Sequence, residues 1–202
     1  KYALTLGIKA ASFEHLLFTD ADCKPVSENW ITEMSQNFEN QEIILGYGAY
    51  QKVKKSFLNK LIRFETLLTA IQYFSYAKIG IPYMGVGRNL AYTKSLFFSV
   101  NGFADHMKIK SGDDDLFINQ VATKQNISTC FTANSFTESI PKKSFSDWVL
   151  QKRRHISTAS HYKPLHKFLL GVFYSSQLLF YLLSIILLVF LFNWIFVVAL
   201  IF

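Results

Sequence analysis

Thirty-five consecutive residues, Phe168 to Phe202, carry no charged side chain. A hydrocarbon core about 30 Å thick is crossed by roughly 20 apolar residues in a helix. The stretch therefore holds one full span and the start of a second, with Asn193-Trp194 as the expected break. Its position at the C-terminal end excludes a secretory signal peptide. The chain reads as two parts, residues 1–163 ahead of the membrane and a transmembrane region at 164–202.

Charge orients that arrangement. Lys142, Lys143, Lys152, Arg153, Arg154, Lys163 and Lys167 stand against Asp147 alone, so this window carries +6 of the net +7. Basic residues beside a span mark the cytoplasmic side and attract anionic headgroups. An integral membrane protein whose leading domain faces the cytoplasm is expected. The same clustering argues against nucleic acid as partner, because the excess is juxtamembrane rather than spread over the domain. Cys23 and Cys130 have no metal-ligand spacing and suit reduced thiols. The chain opens on Lys1-Tyr2-Ala3-Leu4, which reads as the middle of a helix, so an N-terminal part is expected to precede it.

Ahead of the apolar stretch, short strands alternate with helices. Leu16-Leu17-Phe18-Thr19 reads as a buried parallel strand ending at Asp20. Ser27 is the expected N-cap of a helix with Trp30, Ile31, Met34 and Phe38 on one face. Ile43-Ile44-Leu45 begins a second strand running into Gly46-Tyr47-Gly48. Residues 56–77 form an amphipathic helix with Leu58, Leu61, Ile62, Glu65, Leu68 and Ile71 at helical spacing, suited to the core or to a membrane surface. A strand at Leu90-Ala91-Tyr92, helices at 94–100 and 113–125, a strand at 127–131 and a basic helix at 146–160 complete an α/β layer pattern.

Four constellations carry chemistry. Asp20-Ala21-Asp22 follows a strand directly, where ligands of open α/β sheets bind. Two carboxylates one residue apart share a hard divalent ion, which also takes phosphate oxygens. Asp113, Asp114 and Asp115 open a helix after Gly112. Anions stabilise a helix N-terminus, but like-charge crowding also raises a carboxyl pKa and so makes a general base. Gln151, Arg154 and His155 share one helix face, where Arg154 suits phosphate. Glycines in Gly85-Val86-Gly87-Arg88-Asn89 allow close backbone approach.

As an ordered set these motifs resemble family 2 glycosyltransferases: D20-A-D22, G87-R-N-L-A-Y92 with N101-G-F103, G112-D-D-D-L116 and Q151-K-R-R-H155, then a membrane segment. The resemblance implies a partial GT-A (Rossmann-like) domain, α/β in class, followed by transmembrane helix. It also implies a nucleotide-diphospho-sugar donor, a divalent metal (Mg²⁺ or Mn²⁺) and inversion at the anomeric carbon. Asp20 and Asp22 then match the metal and donor-diphosphate pair. Asp114 or Asp113 matches the catalytic base, the alignment being ambiguous by one residue. Gln151 and Arg154 match the donor-side Q-x-x-R, and His155 stands where the family carries Trp. Gly87, Arg88, Asn89 and His155 fall on the acceptor side. A lipid-linked or saccharide acceptor at the membrane is implied. Rival readings are a metal-dependent nucleotidyl- or phosphoryltransferase and a non-catalytic membrane module.

Overall fold

The computed structural model describes residues 1–190. The chain divides into two compact units, the first Lys1–Tyr162 and the second beginning at Lys163. In chain order the first holds α1 (Tyr2–Ala10), β1 (His15–Phe18), β2 (Cys23–Pro25), α2 (Trp30–Ser35), β3 (Ile43–Gly46), β4 (Gly48–Tyr50) and α3 (Phe57–Lys78). It continues with β5 (Leu90–Thr93), α4 (Lys94–Ser99), α5 (Asp115–Val121), β6 (Ile127–Cys130), β7 (Thr137–Ser139) and α6 (Phe145–Ile156). The second unit contributes α7 (Pro164–Phe190).

The main sheet has the order β1-β5-β3-β6. β5 is antiparallel to both β1 and β3, whereas β3 and β6 are parallel. Hence β1, β3 and β6 end on one side, and β5 starts there. β1 thus shares the direction of β3 and β6 but bonds to an antiparallel neighbour and is only half-buried. Four apolar residues could not distinguish that edge position from the buried parallel strand expected, because strand partners are not encoded in so short a run.

Each face of the sheet has its own core. Ile44 and Ala91 meet Trp30, Met34 and Phe38 from the α2 side. Tyr92 instead joins Phe97, Phe103 and Phe117, with centroids 4.7 Å apart for Tyr92–Phe117 and 4.9 Å for Phe97–Phe103. Period-two alternation along β5 makes this separation. α2 begins later than Ser27 suggests: Ser27 Oγ accepts from the Asn29 amide, and Asn29 is the residue before the helix. Ile31 is exposed, so the buried face is Trp30 and Met34, with Phe38 following in a 3-10 turn.

α3 starts where Ser56 Oγ accepts from the Asn59 amide at 3.1 Å, an N-cap that satisfies an otherwise orphaned donor. Its buried face is Leu58, Ile62, Thr66, Ala70, Tyr73 and Ala77. Small residues let the helix come close to the strands, and the Tyr73 hydroxyl donates to the Gly46 carbonyl at 2.8 Å. Leu61 and Leu68 are therefore half-buried and Ile71 exposed, contrary to a stripe chosen by hydrophobicity alone. Glu65 pairs with Lys152 of α6, and Trp148 packs on Tyr50, Leu58 and Ile62.

A second sheet, β2-β7-β4, escaped the sequence reading. Its strands are three residues each and include Pro25 and Gly48, too short for a period to show. α5 is shorter than expected, ending at Val121, and α6 ends at Ile156 rather than near residue 160. α7 spans 27 residues with a mean hydropathy of 2.1 in its most apolar window, none of that window buried. It is long and apolar enough to cross a membrane. The expected break at Asn193-Trp194 lies outside the described residues.

Candidate active site

Sheet register brings two of the four motifs together. Leu90 pairs with Phe18 on one side and Leu45 on the other. Asp20 lies two residues beyond Phe18, and Gly87 three residues before Leu90, so both emerge at the same sheet end. The Thr19 hydroxyl donates to the Arg88 carbonyl at 3.0 Å, and the Thr137 hydroxyl donates to it at 2.8 Å. The two segments are thereby tied.

Gly87 lies between the acids. Its amide donates to Asp114 Oδ2 at 2.8 Å. A Cβ on Gly87 would stand 3.3 Å from Asp114 Oδ2 and 3.6 Å from Asp20 Oδ1. The other Asp114 oxygen accepts from the Asp115 amide at 2.7 Å. Burial, then the neighbouring Asp115 charge, pushes the Asp114 carboxyl up to about 7, while the two amide donors act against them. Crowding among like charges was the expected cause; withdrawal from water is the larger one. Asp113 is exposed.

The Asp20 carboxyl is also raised, first by burial and then by Asp22, with Arg88 and Arg154 opposing. Asp113 adds to the upward push. Residues from four stretches of the chain therefore act on one carboxylate. Asp20, Asp22 and Cys23 offer ligand atoms all within 4.8 Å of one another. Burial and both aspartates push the Cys23 thiol up, so it stays protonated and is a poor partner for a hard cation.

Arg88 is partly exposed, whereas Asn89 faces inward. Arg88 lies over the Tyr50 ring, 4.4 Å from its centroid, and donates to the Ala49 carbonyl at 3.2 Å. Asn89 is fully buried. Its Oδ1 accepts from Trp30 Nε1 at 3.1 Å, and its Nδ2 donates to Ser135 at 2.7 Å and Tyr47 at 3.1 Å, both carbonyls. Both Nδ2 protons and one Oδ1 lone pair of Asn89 are thus spent on the fold. Gly46 makes room for it: a Cβ there would lie 2.4 Å from Asn89 Cγ. A Cβ on Gly48 would lie 2.6 Å from Arg88 Cβ. Lacking side chains, Gly46 and Gly48 admit these close approaches.

α6 is capped by Ser144, whose Oγ accepts from the Asp147 amide at 3.1 Å. Gln151 Nε2 donates to the Tyr50 hydroxyl at 3.2 Å, joining Gln151 through Tyr50 to Arg88. Arg154 is exposed and makes no side-chain hydrogen bond or ion pair among the described residues. The His155 ring is held down to about 4, chiefly by the protein crowding it and then by Lys152, Arg154 and Arg88, so it is neutral at pH 7. A cavity of about 440 Å³ lies elsewhere, between α1 and β1, lined by Leu4, Ile8, Phe13 and Leu17.

A family profile described as Glycosyl transferase family group 2 matches residues 15–202. The chain belongs to that family. No curated protein sequence matches it. Its fold is similar to that of the mannosyltransferase PcManGT from Pyrobaculum calidifontis, a structure in complex with GDP-Man and Mn²⁺. The TM-score is 0.52 at 16% identity, covering 77% of this chain and 40% of that one. The chain thus spans less than half the length of that relative. The mixed sheet with helices on both faces is that of a GT-A glycosyltransferase.

For a family 2 glycosyltransferase the donor set suits a hard cation. Asp20 and Asp22 supply carboxylate oxygens close enough to share one ion.

Proposed function

We propose that this chain carries the diphosphate-gripping and base-bearing part of an inverting glycosyltransferase that works at a membrane. The observation that carries this reading is the seat of Gly87 between Asp114 Oδ2 and Asp20 Oδ1. It sets a carboxyl beside, but not in, the acid pair. Asp20 and Asp22 would hold a divalent ion, which would supply positive charge to the diphosphate leaving group. Arg154, which makes no side-chain hydrogen bond or ion pair among the described residues, adds a guanidinium whose charge acts on Asp20. Asp114 takes the proton from the acceptor hydroxyl as that oxygen attacks the anomeric carbon. A base with its carboxyl near 7 suits that task at neutral pH. Stabilising the departing diphosphate is the larger contribution.

The apolar helix α7 and the basic segment before it support a lipid-linked or saccharide acceptor at a cytoplasmic membrane face. The test uses the full-length protein in membranes with a panel of sugar nucleotides, acceptor lipids and Mg²⁺ or Mn²⁺. Metal-dependent release of nucleoside diphosphate is expected from one donor. Release from none overturns the reading, and transfer of the nucleotide itself to product replaces it with a nucleotidyltransferase.

A further inference from the structure

Asp115 follows the proposed base, and the reaction as written does not use it. It is only 8% exposed, a costly place for a carboxylate unless its oxygens are bonded. Oδ1 accepts from the Leu116 amide at 2.8 Å. Oδ2 accepts from the Tyr162 hydroxyl at 2.7 Å and is bonded to the Thr158 hydroxyl as well. Thr158 Oγ1 also lies 2.7 Å from the His155 carbonyl, in the last turn of α6. The Asp115 amide, in turn, holds Asp114 Oδ1.

One residue therefore reaches three parts of the molecule. Its backbone holds the Asp114 carboxylate. Through Thr158 it holds the end of the helix that carries Gln151 and Arg154. Through Tyr162 it holds the last residue of the first unit, two positions before α7 begins. The hydroxyls come from 43 and 47 residues away in sequence. An apolar triplet of similar shape would stabilise the fold as well or better. What the polar version adds is a direction for each bond, hence a fixed geometry.

We propose that Asp115 is a positioning residue, whose buried clasp by Thr158 and Tyr162 sets where the Asp114 carboxylate stands relative to α6. The idea rests on the reading of Asp114 as base. Neither hydroxyl touches substrate, yet both govern the chemical step. A displacement on the order of 1 Å at a reacting group costs up to about a hundredfold in rate.

The test compares Thr158→Val, Thr158→Ser and Tyr162→Phe in the full-length protein in membranes. Turnover is measured alongside the Kd for the nucleoside diphosphate with Mn²⁺. Thr158→Val and Tyr162→Phe are expected to lower kcat about tenfold or more, with Kd within about twofold of wild type, while Thr158→Ser restores the rate. Amide hydrogen exchange across residues 112–116 reports the clasp without turnover and is expected to quicken in Tyr162→Phe. Wild-type kcat in Tyr162→Phe, unchanged exchange there, a Ser variant as impaired as the Val variant, or a parallel loss of nucleotide binding overturns the proposal. Asp114→Asn is measured beside them. If it keeps turnover, the base assignment fails; if it is inactive while Tyr162→Phe is not, only the clasp fails.

Discussion

Asp114 accepts a 2.8 Å hydrogen bond from the amide of Gly87, a residue 27 positions earlier and on a different element. That bond joins the start of α5 to the loop before β5 and places a carboxyl beside the D-x-D turn.

Replacing the carboxyl while keeping its shape isolates its role. Asp114→Asn is expected to lower kcat by about 10²–10⁴-fold, with nucleoside diphosphate affinity retained. Asp113→Asn, at an exposed position, is expected to cost far less. Equal losses, read as nucleoside diphosphate release, would reopen the choice between the two acids.

A methyl group at position 87 tests the seat itself. In Gly87→Ala the added carbon faces Asp114 Oδ2 at 3.3 Å and Asp20 Oδ1 at 3.6 Å. The Asp114 carboxyl must give by a few tenths of an ångström, whereas the distance to Asp20 is an ordinary contact. Turnover is expected to fall about tenfold or more, with a stability change under about 1.5 kcal/mol. Thermal unfolding beside kinetics separates the two effects.

The raised Asp114 carboxyl gives a pH dependence of definite sign. The base works deprotonated, so kcat/KM should climb as pH rises through about 7. Stability runs the other way. The folded state binds this proton more tightly than the unfolded chain, whose carboxyl has the ordinary value of 3.8. The stabilisation is thus fully present below that value and lost as pH rises toward 7. Asp114→Asn should flatten the stability profile between these limits, as chemical unfolding at several pH values would show.

Asn89 is expected to be a stability position. Asn89→Ala leaves the Trp30 indole N–H and the Tyr47 and Ser135 carbonyls without this partner. A loss of about 3 kcal/mol follows if those buried groups find no water. A folded variant with wild-type stability and a raised acceptor KM would instead return Asn89 to the acceptor side.

Metal dependence is checked at the acid pair. Asp22→Ala should abolish activation by Mn²⁺, since Asp20 alone with the protonated Cys23 thiol is a weak hard-cation site. Titration of Mn²⁺ against nucleoside diphosphate release measures it.

Much of this was legible because the chemistry sits where elements change. Asp20 lies two residues past a strand and Asp114 just precedes a helix, each beside an apolar run, Leu16-Leu17-Phe18 or Leu116-Phe117-Ile118. The helix that carries Gln151 and Arg154 was legible from its spacing. The second sheet was not, because three-residue strands carry no period. Nor was the inward turn of Asn89, since a Gly-rich loop gives no sign of which side chain faces the core. Ile71, counted in the apolar stripe of α3, faces outward. Hydrophobicity marked the stripe, but the small residues Thr66, Ala70 and Ala77 decided which side meets the strands.

The pairing of Leu90 with Phe18 and Leu45 has a further bearing on how the protein matures. Sliding β5 by a single residue would turn Tyr92 out of its aromatic nest and carry Gly87 away from both acids. A chain paused in such an arrangement would hold nearly all of its secondary structure and none of its reactivity. Competence would then arrive in one step, when the central strand locks home.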